Sequence, residues 1–147
     1  MRTRNPKAAR AGDARLEALS RYECWQLVTD AAGPDGIARV VWTTPDGPAI
    51  VPVNYTVADG FVWFQTATGS RLAQEACNQR LLVEVDHVDV ATHTGWSVVL
   101  AGAATCREVA NDRGLLGETL LVWPSGVRDV LFMVEPEEIT GRRLRPG

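Results

Sequence analysis

The sequence predicts a mainly β protein, a β-rich α+β domain whose strands curl into a closed or partly closed barrel, and three observations carry that prediction. Short runs rich in Val, Ile, Trp and Phe follow one another between residues 37 and 66, separated by "PDG" and "ADG". Asp-Gly between alternating apolar runs is a strong hairpin signal, so the middle of the chain reads as consecutive antiparallel hairpins. No pair of long βαβ crossovers is visible, which argues against a layered α/β sheet. At 147 residues the chain suits one domain with a real core.

The elements follow in order. Residues 1–12, "MRTRNPKAARAG", lack periodicity and read as a flexible N-terminal tail, leaving residues 13–147 as a single domain. In "DARLEALSRYECWQLVTD", Leu16, Leu19, Tyr22, Cys24 and Leu27 form an imperfect apolar stripe. It predicts helix, and a break near Ser20 would divide it into two short helices. "AAGPDG" stops the helix. "IARVVWT", "AIVPVNYTV" and "FVWFQT" are the first three strands. Pro48 and Pro52 need an edge, a strand start or an irregular position, because neither donates a ladder hydrogen bond. "TGSRLAQEACNQR" returns to a helical pattern, with Thr68 or Ser70 as its cap. "LLVEVDHVDV" and "GWSVVLAGAATCREV" are strands, "ANDRGLLGETL" a short helix or irregular connection, and "VRDVLFMVE" the last strand, ending before Pro136.

Charge and composition narrow the function. Residues 1–15 carry five basic groups and one acidic group, leaving an acidic body in a chain of net charge −3. That body argues against a broad nucleic-acid face. No apolar run approaches the roughly 20 residues that cross a bilayer, and the N-terminus lacks the apolar core of a secretory signal, so a cytoplasmic protein is expected. Cys24, Cys77 and Cys106 form neither an even disulfide set nor a CxxC pair, and each is expected to fill buried space.

The strands are apolar on both faces. In "GWSVVLAGAATCREV", Trp96, Val98, Leu100 and Ala104 lie on one side and Val99, Ala101 and Ala103 on the other. A sheet with one solvated face alternates more cleanly, so a second subunit is expected to cover the outside. The polar residues Asn54, Thr66, Ser70 and Arg71 stand out among apolar neighbours. Amides at a helix start favour an anion, Arg71 adds a fork of donors, and Thr66 and Ser70 add hydroxyls, which together suit a phosphate. The plainer reading has Thr66 and Ser70 capping a turn and Arg71 in water. No Walker loop, dinucleotide fingerprint or GxSxG elbow is present, so Ser97 carries no triad role. Glu84 and Asp86 share a strand face, and His87 and His93 lie six apart; neither pair defines a metal site.

With these pieces together, the chain resembles the pyridoxamine 5′-phosphate oxidase-like flavin-binding split-barrel family, in the branch of nitroimidazole-reductase-like proteins. The resemblance rests on "ECWQLV", "VPVNYTVADGFVWFQTATGSRL", "VEVDHVD", "TGWSVVLAGAA" and "EPEEITGRRL", in the expected order across residues 16–145. It implies a six-stranded split barrel with short flanking helices, forming a homodimer with two flavin sites at the interface. The backbone around Val51, Pro52, Val53 and Asn54 would meet the isoalloxazine edge, and Phe64, Gln65 and Thr66 would continue that wall. Ser70 and Arg71 would hold the phosphate, while Trp96 and Ser97 would approach from the partner subunit. The family's glycine-arginine pair appears here as "DGIAR", with two residues separating Gly36 from Arg39. The resemblance implies an FMN-dependent oxidoreductase, reduced by a nicotinamide cofactor and passing electrons to a small planar acceptor such as a nitroaromatic or a quinone. The alternative is a binding protein for flavin, deazaflavin F420 or haem without turnover.

Overall fold

The structure, a computed structural model, describes residues 15–108 and 130–146. In chain order it contains β1 (Arg15–Ala18), α1 (Arg21–Ala31), β2 (Ile37–Thr44), β3 (Gly47–Ala58), β4 (Phe61–Thr66), α2 (Arg71–Glu75), β5 (Arg80–Asp89), β6 (Thr94–Glu108), β7 (Val130–Val134) and β8 (Glu138–Arg145). The expected tail at residues 1–12 and the connection at residues 110–120 lie outside the described residues.

Strands β2 to β7 are the six that the sequence predicts, and they close a ring. All ladders are antiparallel, running β6-β5-β2-β3-β4-β7, and β7 returns to pair with β6. Asp59 (φ 53°) and Gly60 (φ 81°) both adopt left-handed backbone in the β3–β4 turn, the geometry that makes Asp-Gly a hairpin signal. The inner face buries Val40, Val83, Val98 and Leu100, with Phe64 stacked on Phe132 at 5.0 Å. Tyr55 is also buried; its hydroxyl donates to the Val28 carbonyl at 2.6 Å and ties α1 to the barrel. Among the described residues no helix is long and apolar enough to cross a membrane.

Two strands are edge-sharing. β3 pairs with β2 through residues 47–54 and with β4 only through residues 55–58. Continued, the β3–β4 register would set Gln65 opposite Asn54 and Thr66 opposite Val53, but the ladder stops at Tyr55↔Phe64. The two strands part there, which is the split in the barrel. β6 gives one edge to β5 and divides the other between β8 (residues 95–101) and β7 (residues 104–108). The connection from β7 to β8 crosses at Gly102, where a Cβ would lie 1.7 Å from the Glu135 carbonyl oxygen.

Four expectations are corrected. Residues 15–18 form a strand, β1, paired with β8, not the start of a helix. Ser20 breaks the pattern as expected, but it does so as the N-cap of α1, in a capping box with Glu23. β7 is not the last strand: β8 follows it, on the edge of β6. α2 ends at Glu75, and Arg80 belongs to β5; the backbone turns at Asn78 (φ 60°). Finally, Cys77 and Cys106 are paired, with Cα atoms 5.7 Å apart and 29 residues between them in sequence. Only Cys24 fills buried space alone. Sequence spacing carries no signal for such a pair, because it forms where the chain leaving α2 passes the end of β6.

Candidate functional site

The split between β3 and β4 positions most of the expected residues. β3 carries Val51, Pro52, Val53 and Asn54, with Pro52 exposed and the others half-buried. Among the described residues, no ladder forms on the edge of residues 47–54 away from β2, so backbone N–H and C=O groups there lack strand partners. Pro48 and Pro52 fit this, since neither offers an N–H. Gln65 and Thr66 continue β4 past the end of its ladder with β3, and α2 begins at Arg71. Phe64 is fully buried and its ring belongs to the core, leaving only its backbone to the wall.

The polar groups of the opening are already partly engaged. Thr66 Oγ1 donates to Ser70 Oγ at 2.9 Å, and Ser70 Oγ accepts from the Ala73 N–H at 3.1 Å. Of the two candidate caps, the structure uses Ser70. Arg71 reaches along α2, donating through Nε to Glu75 Oε1 at 3.2 Å and through Nη2 to Oε2 at 3.4 Å. Trp42 Nε1 also donates to Glu75, and that hydrogen bond, ahead of those from Arg71, holds the Glu75 carboxyl below the usual range. Arg71 keeps three N–H donors and is 66% exposed, so it can share a second anion. A five-residue helix adds little dipole, which leaves Arg71 as the charge of the cradle.

Asn54 acts differently. Its Nδ2 donates to the carbonyls of Gly33 at 2.9 Å and Gly36 at 2.7 Å, pinning the α1–β2 connection to β3. Its Oδ1 is buried without a hydrogen-bond partner. Its backbone, not its amide, therefore belongs to the opening.

Trp96 and Ser97 sit elsewhere in the chain. They lie on β6, and β5 and β2 separate them from β3 in the sheet. Trp96 pairs with His87 and Arg143, and Ser97 with Asp86 and Arg142. Both line a cleft of about 450 Å³ with His93 and Arg142. One chain thus does not bring the two halves of the expected site together.

Between them runs the outer face of the barrel. In register, Ile50, Val41, Leu82 and Ala101 form an apolar row across four strands, with Ile50 60% and Leu82 42% exposed. Pro52, Arg39 and Glu84 form the next row. Arg39 Nη1 lies 3.2 Å from both Glu84 Oε2 and Asp86 Oδ2, so its role here is to bridge two carboxylates. Burial, followed by the neighbouring Asp86, raises the Glu84 carboxyl to about 7 against the pull of Arg39. Among the described residues no cluster of three or more metal-ligating side chains occurs. Sequence reading missed Arg142, Leu16 and Leu144 at the cleft, because it assigned no strand to residues 138–145 and helix to residues 15–18.

A six-stranded ring that opens between β3 and β4 is a split barrel. The family model for pyridoxamine 5′-phosphate oxidase matches residues 20–143. The chain belongs to the pyridoxamine 5′-phosphate oxidase-like FMN-binding split-barrel family. An uncharacterized protein of Mycobacterium tuberculosis is 31% identical over 150 residues, spanning 97% of this chain and 92% of its own length. The FAD binding protein from Mycobacterium smegmatis is 32% identical with a TM-score of 0.66, covering 89% of this chain and all of that one (100%). A FAD-binding protein from Mesorhizobium loti has a TM-score of 0.69 over 90% of this chain and 98% of its own; at 20% identity it bears on the fold alone.

Proposed function

We propose that the protein is a flavin-dependent oxidoreductase, working as a homodimer with the flavin at the interface. The observation that carries this reading is the opening between β3 and β4, which leaves residues 47–54 of β3 without a ladder on the edge away from β2, in a chain of this family. The backbone of Val51, Pro52, Val53 and Asn54 would receive the ring edge, and that of Phe64, Gln65 and Thr66 would line the opposite wall. Arg71 would hold the phosphate through the donors that Glu75 leaves free, with Ser70 beside it. When bound, the flavin supplies the two-electron redox chemistry. The chain's own part is to orient the ring, exclude water from one face and carry Trp96 and Ser97 of one subunit to the site of the other.

FMN is the form proposed. FAD competes, since the Mycobacterium smegmatis relative is described as binding it, and both flavins present the same ring and first phosphate. The reductant would be a nicotinamide cofactor and the acceptor a nitroaromatic or quinone. A second reading is a flavin or deazaflavin F420 carrier without turnover. Mass spectrometry of the cofactor released from purified protein separates FMN, FAD, F420 and haem. Finding haem, or no cofactor after supplementation with all four, would end the flavin reading. Steady reduction of a nitroaromatic or quinone by the reduced holoprotein distinguishes enzyme from carrier.

A further inference from the structure

Seven large apolar side chains are exposed among the described residues, and four of them surround one cleft. Leu16, Val88, Val90 and Leu144 are 62%, 66%, 78% and 37% exposed, and they rim the space of about 450 Å³ between the β1–β8 pair and the tip of the β5–β6 hairpin. The register explains the trough. Val88, Gly95, Leu144 and Leu16 form one row, and Gly95 puts no side chain between its apolar neighbours. Asp86, Ser97 and Arg142 form the row behind it. The volume is within the roughly 300–1,000 Å³ of small-molecule sites.

The charges of the cleft are not equally available. Asp86 is held by Arg39 at 3.2 Å. Asp89 turns its Oδ1 back to the N–H groups of Ala91 at 3.0 Å and Thr92 at 3.3 Å. The Arg142 side chain has neither a hydrogen bond nor an ion pair among the described residues. β1 and β8 together carry Arg15, Arg142, Arg143 and Arg145 against Glu17 and Glu138, a local excess of positive charge in a chain of net charge −3. An apolar trough floored by Gly95, with one guanidinium unengaged among the described residues, asks for a flat, apolar molecule with an anionic end.

We propose that this cleft binds a planar aromatic carboxylate, with Arg142 taking the carboxylate and Leu16, Val88 and Leu144 holding the ring over Gly95. The bidentate fork of arginine matches a carboxylate, and the apolar rim shields the pair from water. As an acceptor site, the cleft rests on the flavin reading, because a partner's flavin must then reach it; as a binding site it does not.

The test titrates 4-nitrobenzoate and its neutral amide, 4-nitrobenzamide, into the purified full chain by calorimetry at low ionic strength. The acid is expected to bind at least about tenfold more tightly, in keeping with a charge-assisted hydrogen-bonded pair. Arg142→Ala should abolish that preference while leaving the amide unchanged, and Arg142→Lys should retain part of it. Arg143→Ala, on the opposite face of β8, should keep the full preference. Equal affinities in the wild type, no binding of either compound, or equal losses for both in Arg142→Ala would overturn the proposal. Preference for the acid in protein that holds no flavin would support the cleft and count against the flavin reading. Flavin without the preference would do the reverse.

Discussion

Arg71 and Glu84 both sit in ion pairs, yet their surroundings give them different consequences. Arg71 is largely exposed and shares Glu75 within one turn of helix, an arrangement worth little to stability. Its value lies in the donors left over. Arg71→Ala should weaken FMN by about 1.5–3 kcal/mol, the range for a charged hydrogen-bonding partner, and change riboflavin much less. Titrating both ligands into wild type and variant measures this, and equal losses would deny a phosphate-specific role. Glu84 is the opposite case: its side chain is only 23% exposed and its carboxyl is raised to about 7. The folded protein therefore keeps a proton that the unfolded chain releases near the ordinary carboxylate value of 4.5. Stability should fall as pH rises between those values, then level off. Glu84→Gln cannot ionise, so it should match wild type near pH 4 and exceed it above pH 7 by on the order of 1–2 kcal/mol. Thermal melts across that pH range check it, and a constant difference would count against the assignment.

Elements were legible where one local signal decided them. The β3–β4 hairpin announced itself through Asp59 and Gly60, whereas the α1 start showed only as a break near Ser20, which the structure resolves as an N-cap with Glu23. β1 was misread because Leu16 and Leu19 also fit helical spacing; its actual partner is β8, more than a hundred residues away in the chain. β8 was missed because its run, "EITGRRLR", carries three arginines and few apolar residues. It is a strand because β6 offers it an edge. The candidate opening shows the same division. Ser70 as a cap could be read from the chain, whereas the parting of β3 from β4 depends on which ladder each residue joins. Gly102 is legible only in three dimensions. Gly102→Ala would drive a methyl into the Glu135 carbonyl and should cost about 3 kcal/mol or more. Gly60→Ala, with open space but φ of 81°, should cost about 1 kcal/mol. Similar melting points for the two variants would contradict the crossing at Gly102.

For the whole molecule, the proposed dimer is the arrangement that joins both halves of the site. The apolar row of Ile50, Val41 and Leu82 is the surface it would cover. Light scattering at micromolar concentration with cofactor present should report a dimer, and Leu82→Lys should shift it toward monomer with loss of the flavin. A wild-type monomer under those conditions would remove the basis for an interfacial site. The sharing of β6 between two strands has a consequence for how this chain can change length. Residues 135–137 hand one edge from β7 to β8, and both strands must keep their pairing with the same β6. Side chains alternate, so one added residue in that connection would turn β8 over. Arg142 and Leu144 would then face α1, and Ile139 and Arg143 the cleft. Two added residues would leave every side chain on its own face. Insertions and deletions among homologous chains should therefore come in pairs at this connection, a parity rule written into the sequence by a single shared strand.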